Sequence, residues 1–197
     1  MRRRLLATLA AAAVLAGPAS AHLVETGFGA FYDGIAHVFL APADLLAVLA
    51  FALLGGLRGK EAARSVLFSF PLAWLLAGAA AARWDGGPVL ELAATASTGV
   101  AGLLVALDAR LGRRLVVCFG VGTAVLHGLA DAPAPEAELP ALLAGTTLAL
   151  FSLLALLAAL VVRHPSPLAR IVVRVGGSWI AASGLLLCAW LLRAPSG

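Results

Sequence analysis

The sequence predicts an all-α polytopic membrane bundle: six transmembrane helices after a cleaved signal peptide, with both termini outside. Three observations lead there. Of 197 residues, 62% are hydrophobic and only 12% charged, with a mean hydropathy of +1.01; a soluble domain carries about 25% charged residues and needs them to face water. The apolar residues fall into runs close to the roughly 20 residues that a bilayer core demands. Turn residues punctuate the runs, at Gly55 and Gly56, at Asp85 to Pro88, and at Ala132 to Pro135, as breaks between helices require.

The first element is a leader over residues 1–21. Arg2, Arg3 and Arg4 form a basic start, Leu5 to Ala16 an apolar stretch, and Ala19-Ser20-Ala21 a small-residue cleavage site. Cleavage leaves His22 first in a mature domain of residues 22–197. A terminal histidine offers its amine and imidazole together as a chelate, so His22 is either an external metal-capturing group or a chance neighbour of the cleavage site.

The spans follow near 34–57, 66–82, 88–107, 114–131, 139–162 and 170–192. Loop charge orients them. Arg58, Lys60 and Arg64 follow the first span, Arg110, Arg113 and Arg114 the third, and Arg163 and Arg170 the fifth. The alternate loops hold Arg83 with Asp85, and Glu136 with Glu138. Positive-inside counting therefore puts the first, third and fifth loops in the cytoplasm of a bacterial-type inner membrane, with the N-terminus outside. The basic excess, 14 Lys+Arg against 10 Asp+Glu, lies in these loops, which excludes a nucleic-acid patch. Cys118 and Cys188 sit in different apolar runs, a spacing that suggests neither a disulfide framework nor a zinc site.

Ionisable residues inside the runs carry the functional argument, because a charge at membrane depth costs several kcal/mol unless it is paired, ligated or wetted. The stretch GFGAFYDGIAHVFLAPADLL holds Asp33, His37 and Asp44. The spacing of four and seven residues sets all three near one face if the helix continues. Pro42 interrupts it: either the helix kinks, or a short outer helix precedes a span that begins at Pro42. Asp44 is then a ligand, or an acidic residue suited to a helix start; His37 is a ligand, or a hydrogen-bonded packing residue. Glu91 stands at the outer end of the third span, and the fourth ends in LHGLAD with His127 and Asp131 one turn apart. Two imidazoles and four carboxylates are thus expected at one depth. Gly128 permits a second backbone to approach beside His127. Thr95, Thr98, Thr123 and Thr146 offer weaker oxygens, and Trp74 reads as a packing or interface residue rather than part of a site. Nitrogen and oxygen donors without thiolate suit nickel, cobalt or zinc rather than calcium or copper(I).

The run GFGAFYDGIAHVFLAPADLL, the outward LHGLAD, the leader and the six spans resemble the HupE/UreJ family of hydrogenase- and urease-associated membrane proteins. The general resemblance covers nearly the whole mature chain, its specific motifs only the first span and the end of the fourth. It implies a nickel permease or nickel-supplying accessory serving a hydrogenase or urease maturation system, with His37, Asp44 and His127 in the ligand segments. Two departures stand out: Leu45 follows Asp44 where the family's better-known members carry a second His, and Asp131 replaces a His in the FHGxAHG pattern. Both shift the donor set toward oxygen. Two other functions compete: a haem-binding redox protein ligated by His37 and His127, and a metal-sensing or scaffold subunit that moves no ion. With no Walker A, HExxH or GxSxG motif, neither ATP-driven transport by this chain nor a hydrolase is expected.

Overall fold

The computed structural model describes residues 26–81, 87–131 and 135–193, and every regular element in them is α-helical. The helices are α1 (Ala30–Leu40), α2 (Pro42–Leu57), α3 (Lys60–Ala81), α4 (Gly87–Ala106), α5 (Arg113–Ala130), α6 (Leu139–Arg163) and α7 (Pro167–Leu191). The leader and His22 lie outside the described residues.

Five helices, α3 to α7, are each long and apolar enough to cross a membrane. The pair α1 and α2 brings the number to six if it counts as one broken span. The second run is longer than its hydropathy suggests, starting at Lys60 rather than 66, because its polar first turns extend the helix beyond the apolar stretch.

Pro42 resolves in favour of a break. The axes of α1 and α2 differ by 75°, and the hinge is one residue, Ala41, at φ −86°, ψ 104°. Two effects of the proline ring act there. It clashes with helical geometry at the preceding residue, and it removes the N–H that would have bonded the Val38 carbonyl. Pro42 then serves as the opening residue of α2, where no N–H is needed.

Helix α2 is the hub of the bundle. It packs against every other helix and buries Ala47, Val48, Ala50, Phe51, Ala52 and Leu54. Around it α4 pairs with α7, α3 with α5, and α1 with α6. Lipid tails are as apolar as a leucine core, so close approach between small residues holds such pairs together. At the α1–α6 crossing Gly34 faces the Leu142 carbonyl and Gly145 faces the Phe31 carbonyl, leaving no room for a Cβ on either. Thr146 Oγ1 donates across the same seam to the Gly34 carbonyl at 3.2 Å.

The two ends of the bundle differ. At one, α1, the start of α2 and the end of α5 meet. At the other, the ends of α2 and α4 and the start of α7 are tied by charge: Asp108 accepts from Arg58 and Arg170, the latter at 2.6 Å, and Arg174 Nε donates to the Ala106 carbonyl at 2.9 Å.

Candidate metal centre

The bend at Ala41 does what a continuous helix would have done differently: it folds Asp44, in the first turn of α2, back onto His37, in the last turn of α1. His37 Nε2 stands 3.1 Å from Asp44 Oδ2 and 3.3 Å from Asp131 Oδ1. Asp131 terminates α5 in an extended conformation, its N–H donating to the His127 carbonyl. One donor atom from each of His37, Asp44 and Asp131 falls within a 4.8 Å cluster. Donors around a bound transition ion at about 2.1 Å stand roughly 3–4 Å apart, so small side-chain movements close the remaining distance.

A second layer of contacts fixes the carboxylates. His127, 1% exposed, has its Nδ1 at 2.7 Å from Asp44 Oδ1. A carboxylate only accepts, so Nδ1 carries the proton and donates. Its Nε2 lies 2.9 Å from Thr98 Oγ1 and 3.1 Å from the Ala94 carbonyl of α4. Both ring nitrogens are therefore engaged, and Asp44 is held with Oδ1 on His127 and Oδ2 toward His37. Trp74 of α3 does the same for Asp131, its indole N–H donating to Oδ2 at 2.9 Å. The indole also stacks on the His127 ring, centroids 5.1 Å apart. Gly128 makes that stack attainable: a Cβ there would stand 2.6 Å from the Trp74 carbonyl oxygen, so α3 and α5 touch backbone to backbone.

A carboxylate at a helix C-terminus opposes the helix dipole by about 0.3–1 kcal/mol. Asp131 sits in that position and draws its compensation from the Trp74 N–H and from His37.

Beneath the cluster the bundle centre is filled by aromatic rings. Trp74 packs on Phe70, Phe70 on Phe51 and Phe51 on Phe119, with centroids 5.3–5.7 Å apart. Phe51, Phe70 and Trp74 are fully buried. In the same core the Thr123 hydroxyl, one turn before His127, has no hydrogen-bond partner among the described residues.

Of the predicted site residues, His37, Asp44, His127 and Asp131 come together. Asp33 does not join them: its carboxylate accepts from the backbone N–H and the hydroxyl of Thr26, both at 2.6 Å, tying down the chain that enters α1. Glu91 is exposed near the start of α4, and no hydrogen bond or ion pair joins it to the cluster among the described residues. The convergence is therefore of two carboxylates rather than four, because Asp33 is taken up by Thr26 and Glu91 is exposed. Trp74 and Thr98 have a larger part than their sequence positions suggest. An indole in the middle of an apolar helix must place its N–H somewhere, and that was the available signal.

No curated protein and no solved structure matches this chain. The model of the HupE / UreJ protein family matches residues 9–187. That span covers nearly all of the sequence, including both halves of the His37, Asp44, His127 and Asp131 cluster, and the chain belongs to the HupE/UreJ family of multi-pass membrane proteins connected with nickel and cobalt transport.

Proposed function

We propose that the chain is a permease for a divalent transition metal, nickel or cobalt before zinc, and that His37, Asp44 and Asp131 are its ligands. The observation that carries this reading is the meeting of one imidazole and two carboxylates from three helices within 4.8 Å. One nitrogen and two oxygens, without sulfur, suit borderline divalent ions and disfavour copper(I). His127 takes the role of positioning residue, orienting Asp44 from behind, as hydrogen-bonded partners of metal-binding carboxylates do.

Loop charge supports an orientation in the inner membrane with the N-terminus and the cluster outside and the Arg58–Asp108 end in the cytoplasm. The ion then enters from outside and meets the site before the aromatic core. A hydrogenase or urease maturation system is the class of consumer that such a supply would serve. Asp33 and Glu91, which do not join the cluster, are left as acidic groups that attract cations from outside, not as ligands of the central ion. An external capturing role for His22 stays a proposal from the sequence alone.

The rings of Phe51, Phe70 and Phe119 also favour a second reading, a metal-holding accessory that moves no ion, since they close the bundle below the site. A haem protein is disfavoured because both nitrogens of His127 are engaged. Accumulation of nickel and cobalt in cells expressing the chain separates the two surviving readings. Wild type is expected to exceed empty cells, and His37→Ala at matched abundance to lose the excess. Tight binding by purified wild type without any excess accumulation would favour the accessory.

A further inference from the structure

We propose that the cleft between α3 and α6 at the basic end of the bundle binds an anionic phospholipid. Its phosphate would lie on Lys60, Arg64 and Arg163, with one acyl chain along α6. The cleft has a volume of about 370 Å³ and apolar walls, Leu67 of α3 facing Leu154, Ala158 and Val162 of α6. All three cations line its mouth.

The cations are disposed toward something outside the chain. Lys60 and Arg64 are one turn apart on α3, Arg163 is the last residue of α6, and all three are exposed. Elsewhere at this end Arg58 and Arg170 are paired with Asp108, and Arg113 with Glu61 at 3.6 Å; Arg110 and Arg114 are exposed as well, but they do not line the cleft. Among the described residues no carboxylate pairs with Lys60, Arg64 or Arg163. Basic clusters between membrane helices on the cytoplasmic side attract acidic head groups, each cation contributing about fivefold in affinity.

The depth of the cleft also matches a lipid. From Leu154 to Arg163 the helix rises about 13 Å, close to the thickness of one leaflet's hydrocarbon, about 15 Å. Ala155, Ala158 and Ala159 in succession hollow that face of α6. A second copy of the chain is a poorer occupant, since two-fold pairing through this cleft would set like charges together. The larger cleft of about 990 Å³ between α6 and α7 is less suited, because the Arg170 guanidinium at its rim already donates to Asp108.

The test is native mass spectrometry and thermal unfolding of the purified full chain in mild detergent. Phosphatidylglycerol, phosphatidylcholine and inorganic phosphate are added in turn. Phosphatidylglycerol is expected to be retained and to raise the unfolding midpoint, while the other two do neither. The triple variant K60Q/R64Q/R163Q is expected to bind it at least about tenfold more weakly. Ala159→Phe fills the cleft and keeps every charge, so its loss of lipid cannot come from altered membrane orientation. Equal retention of phosphatidylcholine, a midpoint raised by inorganic phosphate alone, or undiminished phosphatidylglycerol binding by either variant would overturn the proposal.

Discussion

His127 and Asp44, 83 positions apart in sequence, are joined by a 2.7 Å hydrogen bond from Nδ1–H to Oδ1 in the interior of the bundle. Asp44 is 6% exposed and His127 1%, so neither has water to fall back on. The bond leaves Oδ2 of Asp44 facing His37, which makes the histidine of α5 an organiser of the carboxylate on α2.

That division of labour predicts different outcomes for the two histidines. His127→Ala should weaken nickel binding by about 10–100-fold, the range typical when a ligand's hydrogen-bonded support is removed. His37→Ala removes a donor and should abolish binding. Competition titration of the purified variants against a metallochromic indicator checks both. Equal losses would mean that His127 itself reaches the ion.

Trp74→Phe isolates the indole N–H. The ring stack over His127 survives, while Asp131 loses its donor at 2.9 Å. A hydrogen bond to a charged group contributes about 1.5–3 kcal/mol, so the variant should fold and bind nickel at least about tenfold more weakly. Folding is read from the thermal midpoint, binding from the same titration. Unchanged affinity would show that Asp131 is held by His37 alone.

Composition and apolar run length made the helical membrane bundle legible, and loop punctuation located most helix boundaries to within one to three residues. Pro42 marked the break between α1 and α2, but the 75° angle between them is a feature of the tertiary fold, in which α1 also packs on α6 at Gly34 and Gly145, and no local pattern encodes it. Within the site, His37, Asp44, His127 and Asp131 were visible because ionisable groups stand out in apolar runs. The exclusion of Asp33 and Glu91 was not visible, since helical position fixes depth and leaves open which neighbour a side chain meets. Asp33 finds Thr26 nearby in the chain. Trp74 was hidden for the opposite reason: an aromatic residue in a membrane helix has many uses, and only the tertiary fold brings its N–H to Asp131.

The glycine crossing predicts a long-range effect on the site. In Gly145→Ala the new Cβ would meet the Phe31 carbonyl, and backbone on both sides cannot yield cheaply. Overpacking of this kind costs about 1–3 kcal/mol. Because α1 carries His37, displacement there should lower both the thermal midpoint and nickel affinity. Gly122→Ala is the control: its Cβ would meet nothing within 4 Å, and alanine is the better helix former. Its midpoint should be unchanged or slightly raised. A neutral Gly145→Ala would mean that α1 and α6 separate without loss.

The Asp108 clamp at the opposite end predicts an acid-side loss of stability. Burial by itself would raise the Asp108 carboxyl, but the hydrogen bond from Arg170 and the charge of Arg58 outweigh it and hold the group below its ordinary value of 3.8. A carboxyl whose pKa is depressed by folding stabilises the protein above the unfolded pKa, about 3.9, and that contribution disappears as pH falls through the folded value. Protonation frees Arg58, whose Nε is buried without a partner among the described residues, and releases Arg170 from the start of α7. The wild-type midpoint should therefore fall as pH drops from about 4. In Asp108→Asn the decline should be shallower and begin from a lower midpoint at neutral pH, because both arginines have already lost their counter-charge. Thermal unfolding of both proteins in one detergent from neutral to acid pH reads the two slopes, and parallel curves would remove Asp108 as the cause.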